Sequence, residues 1–182
     1  MRFADTEVAG AIAIDPVVHR DPRGFFLESF HAAKYAAAGL PTLFVQDNHS
    51  LSAGGTLRGL HMQILKPQGK LVRVIEGEIW DIALDVRPES PTFLRWTGAT
   101  LSADNFRQLF VPVGFAHGFL VLSERADIEY KCSDVYDPDA ERGLMWNDPA
   151  LGIEWPIADP ILSARDRAHP PFAALGLQGA RP

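Results

Sequence analysis

Short runs of β-forming residues, broken by Gly or Pro at intervals of roughly ten residues, recur along most of this sequence. The clearest run is EIWDIALDV, residues 78–86. Its side chains alternate, with Trp80 and Ile82 on one face of a strand and Asp81 and Ala83 on the other. Many short strands at even spacing are typical of antiparallel sandwiches and barrels, so we expect an all-β fold.

Two stretches interrupt the β pattern with helical signals. The Ala-rich run HAAKYAAAG, residues 31–39, predicts a helix that ends at Gly39. A second, short helix is expected to start at Ser163. No linker or repeat divides the chain, so residues 1–182 are predicted to form a single domain, with the Pro-rich residues 170–182 as a loosely ordered tail.

Composition limits the classes of partner that this chain can have. Its 182 residues are 47% hydrophobic and carry a net charge of −6 without a basic run, which argues against nucleic-acid binding. No apolar run reaches the roughly 20 residues of a membrane span, and the N-terminus lacks the apolar region of a signal peptide. The single cysteine, Cys132, allows no intrachain disulfide. We therefore expect a cytoplasmic protein that does not bind membranes.

A metal site of the kind common in double-stranded β-helix proteins needs an H-x-H pair, a following Glu and a later His. The stretch TLRGLHMQ supplies His61, but Gln63 stands where the second His belongs. Pro67 or Gln68 stands where the Glu belongs, and only His117 fits the later position. Two ligands are too few for an ordinary catalytic metal site, so no metal is expected.

Acid–base chemistry fits the same histidine better. His61 lies on a predicted strand and could act as a proton acceptor near neutral pH, or it could be a hydrogen-bonded core histidine. Tyr130 could be a general acid or a core aromatic residue. Asp166 could orient a histidine, yet Ser163 and Asp166 also fit a helix capping box. Cys132 has no activating neighbour in sequence and is expected to be a buried, inert thiol.

Candidate anion-binding side chains are Arg23, Arg58 and Lys70, although solvated surface positions are the usual alternative for such residues. Strict alternation puts Arg58 and His61 on opposite faces of their strand. A bulge at Gly59 could bring both side chains into one site.

Nine blocks of the sequence resemble, in order from about residue 15 to residue 167, the dTDP-4-dehydrorhamnose 3,5-epimerase family. The blocks read DPRGFFLESF, FVQDNHS, LRGLHMQ, GKLVRVIEGEIWDIALDVR, SPTF, PVGFAHGFLVLS, YKCSDVYDP, WNDP and LSARD. The resemblance implies a cupin-type jelly roll (a double-stranded β-helix) with a few short helices. It also implies a homodimer that uses no metal or organic cofactor.

The resemblance further implies an isomerase of dTDP-L-rhamnose biosynthesis, a pathway that leads to surface polysaccharide. Such an enzyme converts dTDP-4-dehydro-6-deoxy-α-D-glucose to dTDP-4-dehydro-β-L-rhamnose by removing and returning protons at C3 and C5 of the sugar. By resemblance, His61 is the base, Asp166 orients it, Tyr130 is the acid and Lys70 stabilises the enolate oxygen.

The resemblance also assigns substrate-binding roles. Arg58 would bind the diphosphate, and Tyr136 would stack on the thymine or else pack as a strand-edge residue on Pro138. The remaining binding residues are Gln46, Asn48 and His117 near the sugar or diphosphate, Arg165, and Arg23, Phe25 and Glu28 from the N-terminal strands of the partner subunit. Arg165 departs from the family, which has Lys there, so the charge is kept with a different geometry.

Three alternatives remain open at this point. A mono-epimerase or ketoisomerase acting on a related dTDP-keto sugar would share the scaffold and the histidine. A non-catalytic sugar-nucleotide binding module would need no proton relay. A metal-dependent cupin oxygenase would need a metal bound by His61 and His117.

Overall fold

The computed structural model describes residues 1–176, and this part of the chain is mainly β. Most strands contain the β-branched and aromatic residues that favour extended backbone. The strands are β1 Arg2–Asp5, β2 Ile12–Asp15, β3 Val18–Asp21, β4 Gly24–Leu27, β5 Gln46–Ala53, β6 Leu57–Gln63, β7 Lys70–Glu76, β8 Glu78–Asp85, β9 Trp96–Ser102, β10 Gln108–Val111, β11 Phe115–Val121, β12 Arg125–Cys132 and β13 Glu141–Gly143.

The strands form two main antiparallel sheets and one separate hairpin. The six-stranded sheet has the order β1-β2-β10-β7-β12-β5, and the five-stranded sheet has the order β13-β6-β11-β8-β9. The hairpin pairs β3 with β4. The neighbouring strands in each sheet are mostly distant in sequence, as in a jelly roll, and the predicted fold class is confirmed.

The main hydrophobic core lies between the two large sheets. Val72 and Ile128 from the six-stranded sheet pack in one buried cluster with Ile79 and Phe119 from the five-stranded sheet. Removing this apolar surface from water is the main driving force that holds the two sheets together.

A second cluster covers the other face of the five-stranded sheet. Ile82 and Leu84 of β8 pack there against Leu144, Leu151 and Phe172, which belong to the C-terminal part of the chain. Strand β8 is therefore buried on both faces, and its polar side chains point into the protein interior. This is why the C-terminal segment can contribute residues to a site built on the sheet.

Both predicted helices are present. Helix α1 spans Ala32–Ala37, and Gly39 follows it with a φ of 73°, a conformation that glycine adopts readily. Helix α2 spans Ala164–Arg167, and its N-cap Ser163 accepts a hydrogen bond at Oγ from the backbone N–H of Asp166. None of the helices within residues 1–176 is long and apolar enough to cross a membrane.

The beginning of the predicted tail, residues 170–182, differs from the sequence expectation. Phe172–Leu175 form a 3-10 helix, and the Phe172 side chain is buried in the second cluster. The backbone N–H of Phe172 donates to Oδ2 of Asp148 at 2.7 Å. The sequence reasoning missed this order because prolines suggested a loose end, whereas a buried aromatic residue fixes the segment. Residues 177–182 lie outside the described residues.

Candidate active site

A bulge in β6 brings Arg58 and His61 to the same side of the strand. His61 pairs with His117 of β11, but Arg58 pairs with Phe119, so three steps along β6 match two along β11. Gly59 occupies the bulge with a φ of 124°. The bulge predicted at Gly59 is confirmed, because strict alternation would have separated the two side chains.

The bulged strand lines two neighbouring cavities that share the side chains of His61, Lys70 and Tyr130. The smaller cavity has a volume of about 140 Å³ and is lined by Ser50, Arg58, His61, Lys70, His117, Phe119 and Tyr130. The larger has a volume of about 320 Å³ and is lined by Gln46, Asn48, His61, Met62, Gln63, Gln68, Lys70, Tyr130, Tyr136 and Glu141. Eight of the predicted site residues therefore converge on one region.

His61 is hydrogen-bonded to Asp166, and the distance between Nε2 of His61 and Oδ1 of Asp166 is 2.6 Å. Burial alone would raise the pKa of Asp166, but the hydrogen bond from His61 and the one from Ser163 outweigh it, so the pKa is lowered. An ionised carboxylate only accepts hydrogen bonds, so Nε2 of His61 must carry the proton. In neutral His61 the lone pair is then on Nδ1, and Nδ1 is the base nitrogen.

Asp166 also takes part in the cap of helix α2, in which Ser163 is the capping residue, so the two alternatives considered for it are compatible. Oγ of Ser163 donates to Oδ2 of Asp166 at 2.9 Å, while the backbone N–H of Asp166 donates to the same Oγ at 3.0 Å. One carboxylate oxygen serves the helix and the other serves His61. The short helix is thus the device that fixes the carboxylate against the histidine.

His169 lies beside this pair and was not identified from the sequence. Its Nε2 lies 3.2 Å from Oδ1 of Asp166, and its ring meets that of His61 edge to face at 5.4 Å between centroids. The pKa of His169 is lowered, mainly because the ring is removed from water and to a lesser extent because His61 is nearby. The i,i+3 spacing from Asp166 on a predicted helix was the available signal, but the two prolines that follow His169 drew attention away from it because they suggested a loosely ordered tail.

Tyr130 and Lys70 stand next to each other at the cavity wall. Nζ of Lys70 lies 6.0 Å from the centroid of the Tyr130 ring. Burial lowers the pKa of Lys70, and burial raises the pKa of Tyr130. Cys132, on the same strand as Tyr130, is fully buried, and burial raises the pKa of its thiol. This environment agrees with the inert thiol predicted for Cys132.

His117 is held by a carboxylate that sequence reasoning did not select. Its Nε2 lies 2.8 Å from Oδ1 of Asp81, and both side chains are buried. Asp81 comes from the inward face of β8, and the acidic residue at an inward position of an apolar strand was the available signal. Because Nε2 of His117 contacts Asp81, His117 and His61 do not act as a pair of ligands to one metal ion in this arrangement.

The wall of the larger cavity is a connected polar network. Nε2 of Gln46 donates to Oδ1 of Asn48 at 3.0 Å, and Oε1 of Gln46 accepts from the backbone N–H of Tyr136 at 2.7 Å. The Tyr136 hydroxyl donates to Oε2 of Glu141 at 2.7 Å. The Tyr136 side chain is partly exposed, so its ring can meet a flat ligand group.

Glu141 is a further site residue that the sequence did not reveal. It forms an ion pair with Arg165, and burial would raise its pKa, but the hydrogen bonds from Tyr136 and Arg165 outweigh burial and lower it. Arg165 itself is about half exposed. The guanidinium of Arg165 is thus paired with a lining residue of the larger cavity, although Arg165 itself does not line that cavity.

Three predicted site residues are not brought to these cavities. Arg23 and Phe25 belong to the loop and strand of the β3–β4 hairpin, where Arg23 pairs with Asp21 at 2.5 Å. Phe25 packs against Phe106 with tilted rings and 4.7 Å between the ring centroids. Glu28 pairs with Lys34 at 2.7 Å. Within residues 1–176 of one chain, none of the three lines either cavity.

The arrangement can move protons. A histidine held in one tautomer by a buried carboxylate, a half-buried phenol and a half-buried amine surround one small space. These groups can accept a proton, donate a proton and stabilise negative charge, respectively. No nucleophile with an activating base was found among the lining residues, so covalent catalysis has no support here.

Comparison with known proteins agrees with this chemistry. A family model described as dTDP-4-dehydrorhamnose 3,5-epimerase matches residues 5–174. The dTDP-4-dehydrorhamnose 3,5-epimerase of Methanothermobacter thermautotrophicus is 51% identical over 174 residues, which is 94% of each chain.

Solved structures give the same result. A crystal structure of dTDP-6-deoxy-D-glucose-3,5-epimerase from Legionella pneumophila, in complex with dTDP-4-keto-L-rhamnose, has a TM-score of 0.92 at 44% identity and covers 100% of this chain and 98% of that chain. A 3'-monoepimerase from Streptomyces bikiniensis, in complex with dTDP-quinovose, has a TM-score of 0.88 at 35% identity and covers 94% of this chain and 90% of that chain. The chain therefore belongs to the dTDP-4-dehydrorhamnose 3,5-epimerase family.

Proposed function

We infer that this protein is a dTDP-4-dehydrorhamnose 3,5-epimerase, an isomerase that converts dTDP-4-dehydro-6-deoxy-α-D-glucose to dTDP-4-dehydro-β-L-rhamnose in dTDP-L-rhamnose biosynthesis. The observation that carries the inference is the hydrogen bond of Asp166 to His61, whose side chain lines a cavity together with Tyr130. The identity of about half to the Methanothermobacter enzyme over 94% of both chains supports the substrate class. We assign the reaction to the cytoplasm and to side chains alone, without a cofactor.

His61 is the general base in this mechanism. The 4-keto group of the sugar acidifies the C–H bonds at C3 and C5, and removal of either proton gives an enolate. With Nε2–H donated to Asp166, the Nδ1 lone pair of His61 accepts the proton. The imidazolium that forms is stabilised by the ionised carboxylate, as in other His–Asp pairs.

Tyr130 is the acid that returns a proton from the other side of the sugar ring, which inverts the carbon. Its raised pKa keeps the phenol protonated and able to donate. Lys70 stabilises the enolate oxygen, and the burial that lowers its pKa also keeps water away from the developing charge.

The nucleotide is bound by the remaining polar wall. Arg58, which donates from Nε to Oγ of Ser52 at 3.0 Å, has further guanidinium hydrogens for the diphosphate. Gln46 and Asn48 form hydrogen bonds near the sugar and diphosphate, and His117 lies against the sugar. Tyr136 stacks on the thymine, and Arg165 adds positive charge at the cavity mouth.

The working unit is a homodimer in which Arg23, Phe25 and Glu28 complete the site of the partner subunit. The hairpin position of Arg23 supports this assignment, because its side chain is 91% exposed and lines neither of the two cavities that hold His61 in its own chain. Phe25 and Phe26 are exposed aromatic residues on the same hairpin, and exposed apolar patches of this kind mark binding surfaces.

Two alternatives, a mono-epimerase and a non-catalytic binding module, have less support than the double epimerase. The fold alone does not separate a double epimerase from a mono-epimerase, since the Streptomyces bikiniensis 3'-monoepimerase shares it at 35% identity. Two inversions are supported by the match to the 3,5-epimerase family model and by the 44% identity to the Legionella pneumophila 3,5-epimerase. A non-catalytic binding module would gain nothing from the His61–Asp166 hydrogen bond.

The test is the His61→Asn variant, compared with the unchanged protein for turnover and for dTDP binding. We expect turnover to fall by about 10²- to 10⁴-fold, the usual contribution of a general base, while dTDP affinity changes little. The variant His49→Asn, which alters an exposed histidine outside both cavities, is the matched control. Near-normal turnover in His61→Asn would remove His61 from the mechanism.

A further inference from the structure

His61, Asp166 and His169 form a cluster whose donor atoms suit a divalent transition metal. One donor atom from each residue lies within 4.8 Å of those from the other two. Nε2 of His61 and Nε2 of His169 lie 2.6 Å and 3.2 Å from the same oxygen, Oδ1 of Asp166. Two imidazole nitrogens and one carboxylate oxygen match the three protein ligands of open Zn²⁺ sites.

His169 supplies the independent sign of a ligand. Its side chain is 9% exposed, and its Nε2 has no hydrogen-bond partner of acceptable geometry within the described residues. A buried, unpaired ring nitrogen is costly unless another group engages it. Here the nitrogen lies 3.2 Å from the carboxylate oxygen that already holds His61, without a hydrogen bond of acceptable direction to it.

The position of His169 is fixed rather than accidental. A Cβ placed on Gly143 would lie 2.0 Å from Cε1 of His169, so the imidazole fills the space that a side chain would take. The backbone N–H of Met145 donates to the carbonyl of Pro170 at 2.8 Å and anchors the next residue of the segment. His61, by contrast, is about a quarter exposed, which leaves a path for an ion and a position for a water ligand.

We propose that His61, Asp166 and His169 bind Zn²⁺ or a similar divalent transition metal, and that this metal reversibly inhibits the enzyme. The inhibitory step rests on the proposed role of His61 as the base. A metal bound to Nε2 takes the place of the proton that Asp166 accepts. In neutral imidazole the proton must then be on Nδ1, so Nδ1 loses the lone pair that attacks the sugar C–H bond.

The site would differ from the usual metal centre of double-stranded β-helix proteins. His117 is not a ligand, because it is buried against Asp81. The metal would lie on the Asp166 side of the His61 ring, away from the nitrogen that faces the reaction. We therefore expect Zn²⁺ to lower kcat without a matching change in KM.

Metal binding is measured first, without any assay of turnover. Co²⁺ is added to the metal-free protein, and the visible absorption of four-coordinate Co²⁺ is recorded. We expect the band in the unchanged protein, its loss in His169→Asn, and its retention in His117→Asn and in the exposed control His49→Asn. No band in the unchanged protein, or a band that survives His169→Asn, would overturn the site.

Inhibition is measured second, at one fixed nucleotide concentration for all variants, because the substrate diphosphate also binds Zn²⁺. We expect His169→Asn to need at least about tenfold more Zn²⁺ for half-inhibition than the His49→Asn control, and EDTA to restore turnover. A Co²⁺ band that depends on His169 together with Zn²⁺-resistant turnover would leave the metal site standing and would overturn His61 as the base. If His169→Asn does not fold, the ring-nitrogen NMR signals of both histidines in the unchanged protein must move on Zn²⁺ addition, and unmoved signals would refute the site.

Discussion

Replacing Asp166 by Asn tests the proposed base most sharply, because it changes one group and nearly keeps its shape. The carboxylate accepts from Nε2 of His61 at 2.6 Å and from Oγ of Ser163 at 2.9 Å. An amide can instead donate to Nε2, which would move the His61 proton to Nδ1 and block the base. The helix cap itself remains, because Oγ of Ser163 still accepts from the backbone N–H of residue 166.

The expected losses differ for activity and for stability. Turnover should fall by about 10²- to 10⁴-fold, because general base catalysis contributes that much and Asp166 fixes the tautomer. The free energy of unfolding should fall by only about 1–2 kcal/mol, since one charge-assisted hydrogen bond is weakened. Binding of dTDP should be unchanged, because Asp166 lines neither cavity.

Ser163→Ala is the matched control. It removes the cap of α2, which should cost about 1 kcal/mol, but it leaves the carboxylate on His61. Both variants are compared by urea unfolding and by turnover of the dTDP-keto sugar. Equal losses of turnover in the two variants would refute the tautomer argument and would show that Asp166 acts only through the helix.

Three further results are expected. In Gly59→Ala the new Cβ would lie 2.6 Å from Cα of Gly118, at a φ unsuited to alanine. The free energy of unfolding in urea should therefore fall by about 1–3 kcal/mol, and titration with nucleotide should give weaker binding. Unchanged values of both quantities would contradict the bulge. Mixing inactive His61→Ala with inactive Arg23→Ala should restore turnover, because a hybrid dimer has one intact site; no recovery after subunit exchange would contradict a shared site. Folding lowers the pKa of Asp166, so its ionised form stabilises the fold above the ordinary carboxyl pKa of 3.8, and this stabilisation is lost as the pH falls through the lowered value. Urea unfolding from about pH 6 to about pH 3 should therefore show a smaller fall in the free energy of unfolding for Asp166→Asn than for the unchanged protein. Identical curves for the two proteins would contradict the lowered pKa.

Local patterns predicted the elements of this fold well. Alternation in residues 78–86 identified a strand, and β8 spans Glu78–Asp85. The Ala-rich run before Gly39 and the cap at Ser163 each marked a helix that is present. Such features depend on neighbouring residues, so sequence reasoning can find them. The jelly-roll type came only from the family resemblance, and the order of strands in the sheets was not predicted, because pairing depends on contacts between distant segments.

Some residues of the site were predicted and others were missed, because the site too depends on contacts between distant segments. The residue blocks singled out His61 and Asp166, yet their contact spans 105 residues, and the sequence could not show it. Asp81 and Glu141 were missed because their importance depends on burial beside His117 and Tyr136, and isolated acids are usually surface residues. His169 was missed because the adjacent prolines suggested disorder. Its role depends on the packing of the C-terminal segment onto the sheet.

The most direct test of the central claim is hydrogen exchange during turnover. The protein is incubated in D₂O with dTDP-4-dehydro-6-deoxy-α-D-glucose, and the C3 and C5 signals of the sugar are followed by NMR. We expect deuterium at both carbons, together with formation of the rhamnose nucleotide once the matching reductase is added. Exchange at C3 alone would contradict double epimerisation, and no exchange at either carbon, with dTDP still bound, would contradict catalysis by His61 on this substrate.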